Sequence, residues 1–208
     1  ILMTWNAAVD VVRSALNTGT DQLLLWPFSA QQLGVRVDAL VSARKRFIET
    51  EDYMGPERRD TSGRRVRSHS IEVPNALRAK VERRPDLAPS AEAIQVARTN
   101  LEFVKISNIA RRICAIAKLL GRNGDDAGSS RHRPVGDLDT ILKSLAVVRH
   151  ALAAGGQEHR LSFCDSVEQV AVQLNQAAPA FDGKGLALLE QTAMALRVAV
   201  DMDQKPDN

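Results

Sequence analysis

The fold of the first part of this chain is decided by the stretch Gly19-Thr20-Asp21-Gln22-Leu23-Leu24-Leu25-Trp26-Pro27-Phe28. Its consecutive bulky apolar residues, Leu23–Trp26, are typical of a strand that is buried on both faces, as in a parallel sheet covered by helices. Pro27 cannot donate a backbone hydrogen bond to a neighbouring strand, so we expect the strand to end there.

The residues on either side of this strand alternate between strand-like and helix-like patterns. Ile1–Thr4 is a short apolar strand candidate, and residues 7–17 repeat apolar side chains along one helical face. Gly19 stands where helices commonly end in the left-handed conformation. Ser29 is a suitable N-cap for a further amphipathic helix that runs to about Arg46. Strand, helix, strand and helix with short turns predict an α/β unit, part of a doubly wound parallel sheet.

In this order, the features resemble the C-terminal half of a response-regulator receiver domain from bacterial two-component systems. The match covers residues 1–48: Thr4 at a strand end, the turn at Gly19–Asp21, and an apolar strand that leads into Pro27-Phe28. In that family a Ser or Thr at the first of these strand ends hydrogen-bonds the phosphorylated aspartate, and the second strand ends in Lys-Pro-Phe. The resemblance implies a switch role for Thr4, a cis Trp26–Pro27 bond and a place in phosphorelay signal transduction.

Three departures from the family pattern alter what this unit can do. Trp26 replaces the lysine that pairs with the phosphoryl group, so an apolar ring stands where a charge-assisted contact is expected. Leu23 replaces the switch aromatic, and Trp5 follows Thr4 where a small residue usually admits phosphate. We therefore expect a degenerate or weakly phosphorylated receiver. Without the resemblance, Thr4 is a strand-end hydroxyl and Trp26-Pro27 a packed turn.

The chain starts at Ile1, inside an apolar run and without an initiator Met. We expect this start to lie within a domain. By the resemblance, the phosphoacceptor Asp and the acidic pair that binds Mg²⁺ belong to the half of the receiver that precedes Ile1. No cofactor is therefore assigned to this chain, and Mg²⁺ is expected only if that half carries the acidic pair.

A distinctive motif follows the α/β unit. Tyr53, Gly55, Pro56, Arg58 and Arg59 stand in the order of Tyr-x-Gly-Pro-Asp/Glu-Arg-Arg, which follows receiver domains in some bacterial, especially alphaproteobacterial, regulators. Gly-Pro enforces a turn. We expect the tyrosine to dock on an apolar surface and the two arginines to fork onto carboxylates of a neighbouring helix. A merely solvated linker is the alternative.

Residues 49–89 form a basic linker. Eight Arg and one Lys stand against four acidic residues between positions 56 and 84. Low apolar content and three prolines over 60–90 predict an extended or partly disordered connector. The arginines suggest binding to nucleic-acid phosphates, but no recognition helix, zinc spacing or interleaved aromatic residues accompany them. Docking on acidic helix faces is the favoured interpretation, and a DNA-binding transcriptional regulator is the alternative.

Residues 90–203 contain four amphipathic helices. Each has one apolar stripe, spaced by three and four residues: Ile106, Ile109, Ile113, Ile116 and Leu120; Leu138, Ile141, Leu145, Val148 and Leu152; Leu161, Cys164, Val167, Val170 and Leu174; Leu186, Leu189, Ala193, Leu196 and Val200. Gly121 closes the first helix, and Ser162 with Asp165 is spaced for a capping box on the third. We predict a four-helix bundle, or stripes that partly meet a second subunit. The chain is thus mostly α overall.

The bundle offers few residues for chemistry. His150 invites comparison with histidine phosphotransfer bundles, but Ala153 and Ala154 stand where their His-x-x-Lys-Gly pattern has Lys and Gly. Cys114 and Cys164 lack metal-ligand spacing and are expected to be buried as small hydrophobes. No triad, metal-ligand set or phosphate-binding loop is found. Phosphotransfer through the bundle remains the second alternative function.

The sequence thus predicts a non-enzymatic signalling protein that acts by protein contact. The helix after Ser29 would relay the state of the receiver-like unit to the bundle. The expected partners are a histidine kinase or another signalling protein, and by resemblance a second copy of the chain, with no small-molecule substrate. We place the protein in the cytoplasm, because no apolar run reaches the ~18 residues of a membrane span and no signal peptide is found.

Overall fold

The computed structural model of the chain describes residues 1–58, 69–124, 134–178 and 181–202. The chain divides into two compact units, Ile1–Lys105 and Ile106–Asn208. The described residues form seven α-helices and two sheets of two strands each. The predicted fold class, an α/β part followed by an all-α part, is confirmed. None of the helices in these ranges is both long and apolar enough to cross a membrane.

The first unit begins with a parallel strand pair. β1 (Leu2–Thr4) pairs with β2 (Leu23–Leu25), and α1 (Val9–Asn17) connects them. Gly19 ends this connection with a φ of +80°, the left-handed conformation that the sequence predicted. α2 (Ala30–Ser42) follows, and its N-cap Ser29 forms the predicted cap together with Gln32.

The strand β2 is not buried on both faces, so this prediction is wrong. Leu24 is buried, whereas the side chains of Leu25 and Trp26 are 44% and 59% exposed. Leu24 and Leu25 alternate because a pair of strands that packs through one face leaves every second side chain in solvent, and Trp26 lies beyond the end of the strand. α2 also ends earlier than Arg46, because the chain turns away after Ser42 to form a further strand.

Part of the predicted linker is folded. β3 (Phe47–Glu49) and β4 (Met54–Pro56) form an antiparallel hairpin, and Phe47 also bridges Ile71. A short helix, α3 (Ala76–Val81), lies inside the region expected to be extended. Its N-cap Asn75 accepts a hydrogen bond from the backbone of Arg78 and donates one to the carbonyl of Leu40 in α2. Hydrogen bonds from side chains to the backbone therefore order a segment that was predicted to be extended or partly disordered because of its low apolar content.

The second unit is built from long helices with buried stripes. Its helices are α4 (Ala91–Gly124), of which the first part belongs to the first unit, α5 (Pro134–Ala154), α6 (Leu161–Gln176) and α7 (Gly183–Asp201). α5 packs on α6, α6 packs on α7, and Asp201 of α7 bonds Ser107 and Arg111 of α4. All predicted stripe residues are buried except Ile116 and Leu161, which are half-buried. These contacts form the predicted four-helix arrangement.

Two predicted helix ends in this unit are wrong. α4 continues through Gly121 to Gly124, since a glycine inside a long helix costs only about 1 kcal/mol. Ser162 does not cap α6: its hydroxyl donates to the carbonyl of His159, and a single 3-10 turn leads directly into the helix at Leu161. The N-terminus of α6 has no side-chain cap.

Candidate functional site

The carboxyl ends of β1 and β2 bring the predicted switch residues together. Thr4 lies opposite Leu25 in the strand register, and the backbone N–H of Trp26 donates to the carbonyl of Thr4 at 2.8 Å. The Trp26–Pro27 peptide bond is cis, as the resemblance implies. Trp5, Trp26 and Pro27 are all exposed at this edge. The parallel direction of the strands places both strand ends at one edge.

The hydroxyl of Thr4 shapes the chain that leads into α1. Its Oγ1 accepts a hydrogen bond from the backbone N–H of Asn6 at 3.1 Å, and Asn6 Oδ1 in turn accepts from the N–H of Ala8 at 2.9 Å. These side chains satisfy backbone donors that helix and strand leave open. Within the described residues Oγ1 donates to no acceptor, so its hydrogen is available to a ligand at this edge.

Two tryptophans give this edge an apolar surface. The side chain of Trp5 is 84% exposed and that of Trp26 is 59% exposed. Trp26 meets Phe28 edge to face, with the ring centroids 4.8 Å apart and the planes at 87°. Exposed indoles are characteristic of protein contact sites, because an indole buries a large area on binding while only two side-chain torsions lose their freedom. An indole cannot form the ion pair with a phosphoryl dianion that a lysine forms.

The second group of predicted residues, the Tyr53 motif, is docked on the α/β unit itself. Tyr53 Oη donates to the carbonyl of Pro56 at 2.9 Å, and Arg58 Nε donates to Tyr53 Oη at 3.3 Å. Arg58 Nη2 donates to the carbonyl of Thr20, in the turn before β2. The expected fork of Arg58 onto helix carboxylates is therefore wrong, because backbone carbonyls take its hydrogens. Arg59 lies outside the described residues.

The β3–β4 hairpin lies close against the turn before β2 because both contacting residues are glycines, Gly55 in the hairpin and Gly19 in the turn. A Cβ on Gly55 would lie 2.6 Å from Tyr53 Oη and 2.7 Å from the Cα of Gly19. A Cβ on Gly19 would overlap the carbonyl oxygen of Met54. Gly55 and Pro56 are buried. Two glycines thus permit a backbone-to-backbone approach that other residues would block.

Sequence reasoning missed Arg44, which ties the same turn from its other side. Arg44 Nε and Nη2 donate to the two carboxylate oxygens of Asp21 at 2.8 and 3.1 Å, and Nη1 donates to the carbonyl of Pro74 at 3.1 Å. Its guanidinium lies 4.8 Å from the ring centre of Phe47. Such bidentate, stacked contacts are specific to arginine. The charge of Asp21 in a predicted turn was the available signal, but its partner is 23 residues away.

The described residues considered for chemistry in the helical unit are either exposed or buried as part of its packing. His150 is exposed on α5, while its neighbour Arg149 pairs with Asp165 at 2.6 Å and with Glu168. Burial raises the pKa of the Cys164 thiol to about 11. No cluster of three or more His, Cys, Asp or Glu side chains suited to a metal occurs among the residues described. The carboxyl edge of β1 and β2 remains the candidate site.

Comparison with known proteins assigns the chain to no group. No protein-family model, curated protein or solved structure matches it.

Proposed function

We propose that this chain is a two-component signal transduction protein, in which a receiver-like α/β unit controls a helical part that acts by protein contact. In this proposal the chain is not an enzyme, and its partners are a histidine kinase, another signalling protein or a second copy. The proposal places the protein in the cytoplasm. The single observation that carries the proposal is the meeting of Thr4, Trp26 and Pro27 at one strand edge.

The arrangement of this edge supports a recognition role. Thr4 has a hydroxyl hydrogen to donate, and Trp5 and Trp26 supply exposed apolar area beside it. A catalytic site would need a nucleophile with an adjacent base, or a metal-ligand set. The described residues at this edge are instead a hydroxyl, two indoles and a proline, which suit contact with another protein.

The indole of Trp26 also favours protein contact over a strong response to phosphate. In the family that the chain resembles, a lysine at this place pairs with the phosphoryl group. Trp26 offers a ring and a single N–H donor, and its ring is already engaged with Phe28. The proposed receiver-like unit is accordingly degenerate, with weak phosphorylation or none.

Affinity capture and DNA binding separate the proposal from its rivals. The tagged chain is used to capture proteins from the lysate of its source organism, and in parallel is titrated with duplex DNA at 50 and 200 mM salt, because phosphate contacts are strongly salt-dependent. We expect enrichment of two-component proteins and no salt-sensitive DNA shift. A salt-sensitive shift without two-component partners would support a transcriptional regulator and contradict the proposal.

Acetyl phosphate tests the two phosphoryl-transfer outcomes. We expect slow or weak labelling of the full-length protein. Rapid and stable aspartyl phosphorylation would contradict a degenerate receiver. Labelling that is lost in His150→Ala would indicate phosphotransfer through α5, where His150 is exposed.

A further inference from the structure

The segment Tyr53–Arg58 makes its polar contacts within its own unit. Tyr53 Oη bonds the carbonyl of Pro56 and accepts from Arg58 Nε, and Arg58 Nη2 bonds the carbonyl of Thr20. The backbone of Thr50 donates to the carbonyl of Tyr53 at 2.8 Å. Both partners of Arg58 are hydrogen-bond acceptors inside the same unit.

The surface that receives this segment is shaped for backbone. Gly19 has a φ of +80° and lies against the carbonyl of Met54, and Gly55 lies against the Cα of Gly19. A side chain at either position would occupy space that the other segment fills. Such fitted contact distinguishes a docked segment from a linker that happens to lie nearby.

The hairpin that contains this segment also reaches α4, at Lys105. Glu49 in β3 pairs with Lys105 at 3.1 Å, and both side chains are largely shielded from solvent. The amide of Glu57 donates to the carbonyl of Arg46 at 2.8 Å and extends the hairpin ladder. The hairpin therefore contacts the turn before β2 on one side and α4 on the other.

We infer that the Tyr53–Arg58 segment is an intramolecular latch that holds the Gly19–Asp21 turn, and with it the start of β2, in one conformation. The Tyr-x-Gly-Pro-Glu-Arg motif acts on its own chain, through the glycine contact and the arginine bond to Thr20, and not as a binding motif for a separate partner. Because Trp26 directly follows β2, the latch fixes the strand that carries the candidate site. The inference does not depend on the proposed role in phosphorelay signalling.

Amide hydrogen exchange measured by NMR on the whole chain tests the latch. The amide of Glu57 reports the hairpin, and the amide of Leu2, which donates to the carbonyl of Gln22 at 2.9 Å, reports the turn. Tyr53→Phe removes the hydroxyl and Arg58→Ala the bond to Thr20. We expect each variant to accelerate exchange at both amides by about fivefold, the equivalent of one ordinary hydrogen bond.

The matched control is Arg78→Ala, which removes another exposed arginine of the first unit, whose side chain pairs with Glu82 four residues later. It should leave both reporting amides unchanged. Acceleration at Glu57 alone would show a merely local hairpin contact and would overturn the latch. Unchanged exchange at both amides in both variants would overturn it as well, since the segment would then not restrain the turn.

Discussion

Gly19 and Gly55 set the distance between the hairpin and the turn before β2. The predicted left-handed conformation of Gly19 followed from its place after a helix, whereas the role of Gly55 depends on a contact 36 positions away in sequence and has no local signal. Single residues could thus be predicted where their role is local. The partner of Asp21 was missed for the same reason, because Arg44 meets it only in the folded chain.

Gly55→Ala should destabilise the first unit. Its Cβ would lie 2.6 Å from Tyr53 Oη and 2.7 Å from Gly19 Cα, so the hairpin must shift, at a cost of about 1–3 kcal/mol. The control is Gly34→Ala inside α2, where a Cβ meets nothing within 4 Å. It should stabilise the unit by roughly 0.5–1 kcal/mol. Urea unfolding of both variants measures the two effects, and equal free energies of unfolding would contradict the close contact.

Cys164 should make stability depend on pH in the alkaline range. Its thiol has a pKa of about 11 in the folded chain, against an ordinary value of 9.0, mainly because burial disfavours the thiolate. Between these values the unfolded chain loses a proton that the folded chain keeps, so the stability that Cys164 contributes is present below pH 9 and falls as the pH rises toward 11.

The measurement compares wild type with Cys164→Ala by urea unfolding at pH 8 and at pH 10.5. The difference in the free energy of unfolding between the two proteins should be smaller at pH 10.5. A difference that does not change with pH would show that the thiol titrates alike in both states.

At the scale of secondary structure, long periodic patterns predicted better than short ones. The stripes of α5 and α7 are buried as expected, because a helix of several turns repeats its signal many times. Strands β3 and β4 have three residues each, too few to show a period, and Gly55-Pro56 indicated only a turn. The antiparallel pairing of Phe47 with Pro56 is a tertiary contact that no local pattern encodes.

Ser29→Ala should destabilise α2 because it removes the side-chain acceptor of a capping box. The Ser29 side chain accepts from the amide of Gln32 at 3.1 Å, and Gln32 Oε1 accepts from the amide of Ser29 at 2.8 Å. Loss of such a cap costs about 0.5–2 kcal/mol. Ser42→Ala, which removes only a bond to the carbonyl of Asp38 one turn earlier, is the control and should be near neutral. Thermal unfolding that ranks the two variants equally would contradict the role of the cap.

The buried stripe of α7 offers a second comparison between neighbours. Leu189 is fully buried, whereas Leu188 is 46% exposed on the same helix. Leu189→Ala should lower the free energy of unfolding by about 2–5 kcal/mol, because it leaves a cavity in the core. Leu188→Ala should cost far less. If the two variants lose similar stability in guanidinium unfolding, the assigned orientation of α7 is wrong.

At the scale of the whole molecule, the chain combines an α/β unit that carries the candidate site with a unit of four helices. Composition and pattern predicted this division of fold class, since apolar strands and helical stripes occupy different parts of the sequence. What the sequence could not supply is the latch, because residues 53–58 bind a turn more than 30 residues earlier. The proposed signalling role depends on the exposed indoles at the carboxyl edge of β1 and β2.

The dependence of partner capture on these indoles tests the central claim most directly. Trp5→Ala and Trp26→Ala are compared with wild type and with the control Met202→Ala. This control also truncates an exposed apolar side chain, since Met202, in the other unit, is 74% exposed. Because Trp5 is 84% exposed, its removal should leave the free energy of unfolding unchanged. We predict that wild type and Met202→Ala enrich the same two-component proteins in quantitative mass spectrometry. In both tryptophan variants this enrichment should fall at least about tenfold, the loss expected when a side chain that contributes modestly to a protein contact is removed. Equal enrichment by all four proteins, or the absence of any two-component partner, would contradict the proposal.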